Sequence, residues 1–569
     1  MTKKHYIYNK VAATLFAAAT LTSCGDFLDT LPMNEIVKDN FYTKKLDATQ
    51  LLDGCYSSFA NYDNVGRMAI WGEARSENVI TKGGNGGLLN AVRELNGENM
   101  RTTNELTKWL PIYRTINYCN TFIKNAPTVQ QLDPNYSLQE LKSNIAEATA
   151  LRDLCYFYLL RAYRAVPITF TPSDTDEQDY EIQPDSLMPG INKLINDLKT
   201  VENDAVKRYY DITRLTNSEI YNNAEIKKNS ARITRSAIHA ILADMNLWCG
   251  NYDEAIRYCD LVIENKKESF KERVAYRSIN EFPDMMLINE IPLIREKILN
   301  TNQDGNAYKE IFVWGHSVES IFELSYNSGG ITNSFVDDFY KSGYEVSTIF
   351  TSSIMKGENA YFTIDDCRAY ENIVADDNKT PSINKYVGGE LSKFEVSTLN
   401  ANSARPKPSG SINSPNWIIY RLTDIMLMKA EALIEKGGDD NLKEAFKLID
   451  AVYQRAHSLN RSLNIALYIN DGDPKNQEKM RDLCMEERQR ELMFEGKRWF
   501  DLVRRSVREQ NTDYLSDKAS DKQKINQDAI SSKFKEFDFI FYPYNKEELK
   551  LNHFLRQNKA YGNTEDFVQ

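Results

Sequence analysis

The stretch ITRSAIHAILADMNLWCGNYDEAIRYCDLVI, Ile233 to Ile263, decides the fold. Apolar side chains return at Ile238, Leu242, Met245 and Cys249, and again at Tyr252, Ala255, Ile256, Cys259, Val262 and Ile263. Steps of three and four place each set on one face of a helix. Gly250-Asn251 supplies a turn between the two sets, so the spacing predicts a pair of antiparallel helices.

The order Ala…Leu-Trp…Gly-x-Tyr-x-x-Ala within it resembles a tetratricopeptide unit, in which small residues let two helices approach closely. Working outward, similar pairs are predicted for Leu106–Lys124 with Leu138–Tyr163 and for Ile418–Glu435 with Leu442–Ala456. In the last pair Ile418, Leu422, Ile425, Met426, Ala430 and Leu433 form a stripe that Gly437-Gly438 ends. The pairs are not tandem. From about 265, at NKKESF, to 415 the chain is rich in Asn, Gly, Ser and Tyr, with short alternations such as Ile321-Phe322-Glu323-Leu324. The expected architecture is therefore mainly α: tetratricopeptide-like helical repeats carrying long loop-rich insertions and a few short strands. Loops on such a scaffold are where binding surfaces are usually built.

The N-terminus has another texture. Lys3, Lys4 and Lys10 precede an apolar run, Val11 to Leu21, about half of the roughly 20 residues that a spanning helix needs. Residues 1–23 are thus expected to be a signal peptide, and residues 24–569 a single domain with its insertion at about 265–415. Leu21-Thr22-Ser23-Cys24 resembles a bacterial lipobox, in which the cysteine thiol takes a diacylglycerol and becomes the first mature residue. Acyl chains there would tether the domain without spanning the bilayer.

Composition narrows the partners. With 70 Lys and Arg against 81 Asp and Glu, the chain carries −11, an acidic balance that argues against nucleic acid, whose phosphates are met by basic clusters. The eight cysteines lack CxxC spacing and read mostly as small buried apolar residues. No histidine has a second His or Cys at ligand spacing, so no metal or other cofactor is expected. Acid clusters at Asp365-Asp366 and Asp376-Asp377-Asn378 leave a structural calcium undecided. The 32 Tyr, 25 Phe and 6 Trp suit stacking on sugars as well as a large helical core.

Five blocks carry a wider resemblance: FLDTLPMNEIVKDNFYTKKLDATQLLDGCYSSF after Cys24, EATALRDLCYFYLLRAYRAVPIT at 147–169, WIIYRLTDIMLMKAEAL at 417–433, ERQRELMFEGKRWFDLVRR at 487–505 and FYPYNKEELKLNHFLRQNKAYG at 541–562. Together, and in this order, they resemble the SusD/RagB family of surface lipoproteins of Bacteroidetes. The resemblance implies a SusD-like fold and a lipid-anchored, surface-exposed protein of the outer membrane. It also implies the family's activity: capture of oligosaccharide, without catalysis, for delivery to a partner SusC-like TonB-dependent barrel transporter. Peptide capture, as in RagB-like members, is the alternative. A surface glycoside hydrolase, or a scaffold for surface enzymes, is a further reading. The charges of RELMFEGKRWFDLVRR and of RLTD at 421–424 are read as structural, Arg490, Glu491, Arg498, Asp501 and Arg504 pairing across helical turns.

In that family the ligand surface forms from the loop after the first helix and from the mid-chain insertion. By region, the resemblance points to Trp71, Glu73, Arg75, Glu77, Asn78, Asn85 and Asn90, and to Trp314, His316, Tyr326, Asn327 and Tyr340. Ring faces would stack on sugar C–H groups, and the amides and charged groups would pair with hydroxyls. No aromatic lies between Trp71 and Trp109, which argues against a starch-like helical glucan. The cluster Gly83-Gly84-Asn85-Gly86-Gly87 lacks the Lys-Ser/Thr of a phosphate loop and reads as a flexible connection.

Overall fold

Thr234 and Gly250 set the limits of the first helix of the deciding pair. The Thr234 hydroxyl accepts the Ala237 amide at 3.4 Å, and Gly250 turns the chain at φ +73°, where an L side chain costs about 1–2 kcal/mol. This computed structural model describes residues 42–562 apart from 82–86, 97, 174–180, 283, 297–305, 328–329, 348–349, 351–360, 364, 375–380, 390–409, 458–461 and 523–526. Cys24, with the expected signal peptide before it, and Asn85 fall outside the described residues.

Among the described residues twelve helices have ten residues or more. In chain order they are α1 (Lys45–Phe59), α2 (Tyr62–Glu73), α3 (Gly87–Asn96), α4 (Leu110–Leu132), α5 (Leu138–Tyr163), α6 (Leu187–Val201), α7 (Arg235–Trp248), α8 (Tyr252–Tyr276), α9 (Leu422–Lys436), α10 (Asp439–Ala456), α11 (Asn476–Leu492) and α12 (Arg498–Glu509). The predicted pairs are α4–α5, α7–α8 and α9–α10. Their order in space is a row: α1 packs on α4, α4 on α5, α5 on α6, α6 on α7, α7 on α8, α8 on α9, and α9 on both α10 and α11. Ile238, Leu242 and Met245 of α7 and Cys259 and Val262 of α8 are wholly buried in the seam, as their spacing predicts. Of the cysteines after Cys24, all but the half-buried Cys249 are buried.

Three expectations are corrected. Trp417–Arg421 is a strand, and α9 begins only at Leu422; the aromatic and β-branched run WIIYR fits a pleated surface better than a helix. The insertion begins later than 265, because α8 runs on to Tyr276 with Phe270 and Arg273 buried on its inner face. The block at 487–505 is two helices: the chain breaks after Leu492, with Phe494 at φ +67° and Gly496 at φ +68°.

The strands join distant segments. Six of the ten strands among the described residues position the site: β1 (Val79–Thr81), β2 (Met285–Ile288), β3 (Ile291–Ile294), β4 (Ser320–Leu324), β5 (Tyr344–Val346) and β6 (Trp417–Arg421). β2 and β3 form a hairpin. β1 pairs antiparallel with β5, Val79 opposite Val346, and β4 with β6, Trp417 opposite Leu324. The insertion is therefore stitched to the helical row at both ends. The tightest approach is between Gly72 of α2 and the α11–α12 turn: a Cβ on Gly72 would stand 1.8 Å from the Gly496 carbonyl oxygen.

Candidate functional site

Most residues expected to face a ligand are instead pins that hold the core. Trp71 is fully buried; its Nε1 donates to the Leu106 carbonyl at 3.2 Å, and its ring meets Tyr163 edge-on at 5.6 Å. Glu73 accepts from Asn78 Nδ2 at 2.6 Å and from the Phe494 amide at 3.1 Å. Arg75 pairs with Glu98 at 3.0 Å, donates to the Phe539 carbonyl, and lies 4.6 Å over the Trp499 ring. Glu77 pairs with Arg498 at 2.5 Å, and the Asn78 side-chain oxygen accepts from Gln489 at 2.8 Å. The segment from 71 to 78 thus docks onto α11, α12 and the turn between them.

The second set divides in the same way. Tyr326 and Tyr340 are buried, their hydroxyls donating to the carbonyls of Ala60 (2.6 Å) and Phe494 (2.7 Å). His316 is buried between the Ser230 and Ser325 hydroxyls, at 2.9 and 3.1 Å, and beside Glu323. The physical reason for the correction is common to all of these: each buried polar group has a protein partner, as burial demands, and an aromatic ring beside a paired polar group has the same composition inside a core as on a sugar platform. Asn327 and Asn90 remain exposed, Asn90 on α3 accepting from Arg93 at 3.3 Å.

Trp314 is the exception. Five of the six tryptophans are buried, whereas Trp314 is 44% exposed. It ends a helical turn, Lys309–Trp314, and Gly315 follows at φ +67°, so its backbone position is fixed. One face of the indole is backed by Tyr221 at 4.9 Å, and Lys309 Nζ stands 4.9 Å from the ring centre. Tyr221 in turn donates to Glu310, which also accepts from Asn217. Arg273 donates to Asn217 at 2.7 Å. The result is a half-open aromatic ledge on a hydrogen-bonded base, in which an apolar ring face and flanking polar groups are offered together. Tyr221 and Lys309 had no distinguishing signal in the sequence.

Two sets of carboxyls bear on chemistry. In the first, burial alone would raise Glu491, but Arg455, Arg421 and Arg368 hold it well below the usual carboxylate range. Arg421 spans Glu491 (2.6 Å) and Glu495 (2.7 Å), Arg368 spans Glu487 (2.7 Å) and Asp366 (2.9 Å), and Lys385 meets Glu495 at 2.9 Å. Asp424 is likewise drawn down to about 2, its burial outweighed by Lys497 and Arg488. These are buried, mutually paired ions, so the charges are structural as expected, but pairing across helical turns is seen for Arg490 with Glu487 and Arg504 with Asp501, whereas Glu491 and Arg498 pair with distant segments. In the second set burial raises the carboxyls: Glu73 to about 7, Glu310 to about 8 and Glu296 to about 6. Glu310 and Asp284 share one partner, the Asn217 side-chain amide, which donates to both. Among the described residues no group of three or more His, Cys, Asp or Glu side chains is disposed to hold a metal ion, and no helix is long and apolar enough to cross a membrane.

Comparison with known proteins agrees with the helical row. Residues 320–561 match the sequence profile of the SusD family. SusD-like protein P38 of Formosa agariphila is 24% identical over 519 residues, covering 86% of this chain and 90% of the relative. A SusD superfamily protein of Bacteroides thetaiotaomicron superimposes with a TM-score of 0.62 at 20% identity, covering 92% of this chain and 99% of that one. A laminarin-binding SusD-like protein superimposes with a TM-score of 0.56 at 18% identity, covering 91% and 100%. The two superpositions show a shared fold.

Proposed function

We propose, from the premise that this chain is SusD-like in sequence over residues 320–561 and in fold over nearly all its length, that it captures oligosaccharide at its surface. It would hand that cargo, unaltered, to a SusC-like TonB-dependent barrel of the outer membrane, moored there by a lipid on Cys24. The observation that carries this reading is Trp314, the one tryptophan displayed rather than buried. Sugars present C–H faces that stack on such rings and hydroxyls that bond to polar groups beside them, and burying a well-backed ring face discriminates better than a loose one. The laminarin-binding relative of the same fold supports a glycan as the ligand class.

Titration calorimetry of the mature chain against laminarin oligosaccharides, a wider glycan panel and a peptide pool tests it. A glycan should bind, and Trp314→Ala should weaken binding by about tenfold or more, roughly 1.4 kcal/mol. Binding of peptides alone, or release of reducing sugar with turnover, would reject it.

A further inference from the structure

A cleft of about 560 Å³ opens where α7, α8, the β2–β3 hairpin and β4 meet, and Trp314, Tyr221 and Lys309 are not in its lining. That is the size of an ordinary small-molecule site. In a chain with net charge −11, its lining has six Lys and Arg side chains and four Glu.

The acids there are already engaged: Glu264 with Lys267 (2.9 Å), Glu272 with Arg208 (3.1 Å), and Glu202 as acceptor of the Tyr258 hydroxyl (3.0 Å); only exposed Glu268 has no such contact among the described residues. Of the cations, Arg208 is matched by Glu272 and Arg257 by Glu254 (2.9 Å), whereas the other four are not. Arg235 spends Nη2 on the carbonyls of Asn203 and Ala205, and its buried Nε has no hydrogen-bond partner. Lys266 donates to the carbonyls of Val318 (2.8 Å) and Ser320 (2.7 Å), which leaves one of its three N–H groups and its charge without a carboxylate in contact. Arg273, buried at the cleft wall, also has an unpartnered Nε. Lys207 at the rim makes no ion pair among the described residues.

Geometry brings these groups together. Ser236 Oγ donates to Asn265 Oδ1 at 3.2 Å, so Arg235 and Lys266, each next in sequence to that contact, stand at one level of the α7–α8 pair. His239, one turn further along α7, feels the same field: burial first, then Arg235 and Arg257, push its imidazole down to about 4. Burial pushes Lys266 down to about 8. The two arginines act on His239, whereas Lys266 is lowered by burial against the opposing pull of Glu319 and Glu323. Ile212, Phe270 and Pro292 complete the lining with apolar surface.

We propose that this cleft is a second ligand site, which takes a saccharide bearing a carboxylate or a sulfate. The anion would sit against Arg235 and Lys266, and neutral His239 would serve a hydroxyl as donor or acceptor. The inference rests on the glycan reading for its ligand class, but not on Trp314, Tyr221 or Lys309; Arg273 alone is common to the cleft wall and the base of the ledge.

The test is calorimetry of the mature chain with three probes: trigalacturonate, a sulfated carrageenan tetrasaccharide, and neutral laminaritriose. At least one anionic probe should bind about tenfold more tightly than laminaritriose at low salt, and should weaken about tenfold when salt is raised to about 0.5 M. Which of the two binds identifies the source of the charge. Arg235→Gln should weaken that probe about tenfold, Lys207→Glu on the exposed rim by a smaller factor, and Trp314→Ala should leave it unchanged. If Arg235→Gln does not fold, Lys207→Glu and the salt series decide. Failure of both anionic probes, or binding indifferent to Lys207→Glu and to salt, or binding lost with Trp314→Ala, overturns the proposal. Laminaritriose that still binds at Trp314 when both anionic probes fail overturns the cleft alone; anionic binding at the cleft without any at Trp314 overturns only the ledge.

Discussion

Gly72 shows how little room single residues have in this core. Its missing Cβ admits the Gly496 carbonyl at a distance no real side chain permits, and both partners are backbone, so neither can swing aside. Gly72→Ala should therefore cost about 3 kcal/mol, the upper end of what overpacking usually costs, seen as a lower midpoint in denaturant unfolding. A melt indistinguishable from wild type would show that α2 can slide away from the α11–α12 turn. Glu310 is a second residue whose surroundings dictate a measurable effect. Burial raises its pKa from 4.5 to about 8, so the folded state holds its proton over a range where the unfolded chain has lost it. Its contribution to stability is full below about pH 4.5 and is lost as pH rises through 8. Glu310→Gln, which keeps an oxygen for Tyr221, should flatten that alkaline decline in urea midpoints measured between about pH 5 and pH 9.

Among the elements, the α7–α8 pair was legible because its apolar residues return at a helical period and Gly250 stands where the period breaks. Gly250→Ala should cost about 1 kcal/mol and Gly250→Asn less, since Asn tolerates the left-handed region; equal losses for both would mean that the turn relaxes. The β6–α9 junction was not legible. Ile418 fits the helical stripe that continues at Leu422, and only its partner strand β4, nearly a hundred residues away, decides for extended chain. The end of α8 was missed for a related reason, since NKKESFKERVAY is polar enough to pass for a loop until Phe270 and Arg273 are seen to be buried. The candidate site was the least readable part. Trp71 and Trp314 are the same residue type beside similar polar neighbours, and nothing local separates the one pinned to Leu106 from the one left half open.

At the scale of the whole molecule, buried charge shapes the pH response from both sides. Asp424, drawn down to about 2, and Glu491, held well below its usual range, contribute stability that is present above about pH 4.5 and disappears as they are protonated. Glu296, Glu73 and Glu310, raised to about 6, 7 and 8, contribute in the opposite sense. Unfolding midpoints should thus be highest in mildly acidic buffer, near pH 5; a maximum above pH 8 would contradict the burial of these groups. The proposed anchor makes a separate prediction: Cys24→Ala should leave the protein exported but recovered from the soluble fraction, whereas retention with the outer membrane would exclude a lipid tether. The bonds that dock residues 71–78 onto α11 and α12 have one more consequence. Glu77 reaches its partner Arg498 across 421 positions of chain and Asn78 reaches Gln489 across 411, so no early fragment can satisfy them. Folding that waits on such remote partners is slow, and a nascent chain threaded tail-last through a narrow translocation channel would stay loose enough to pass until its final portion had emerged.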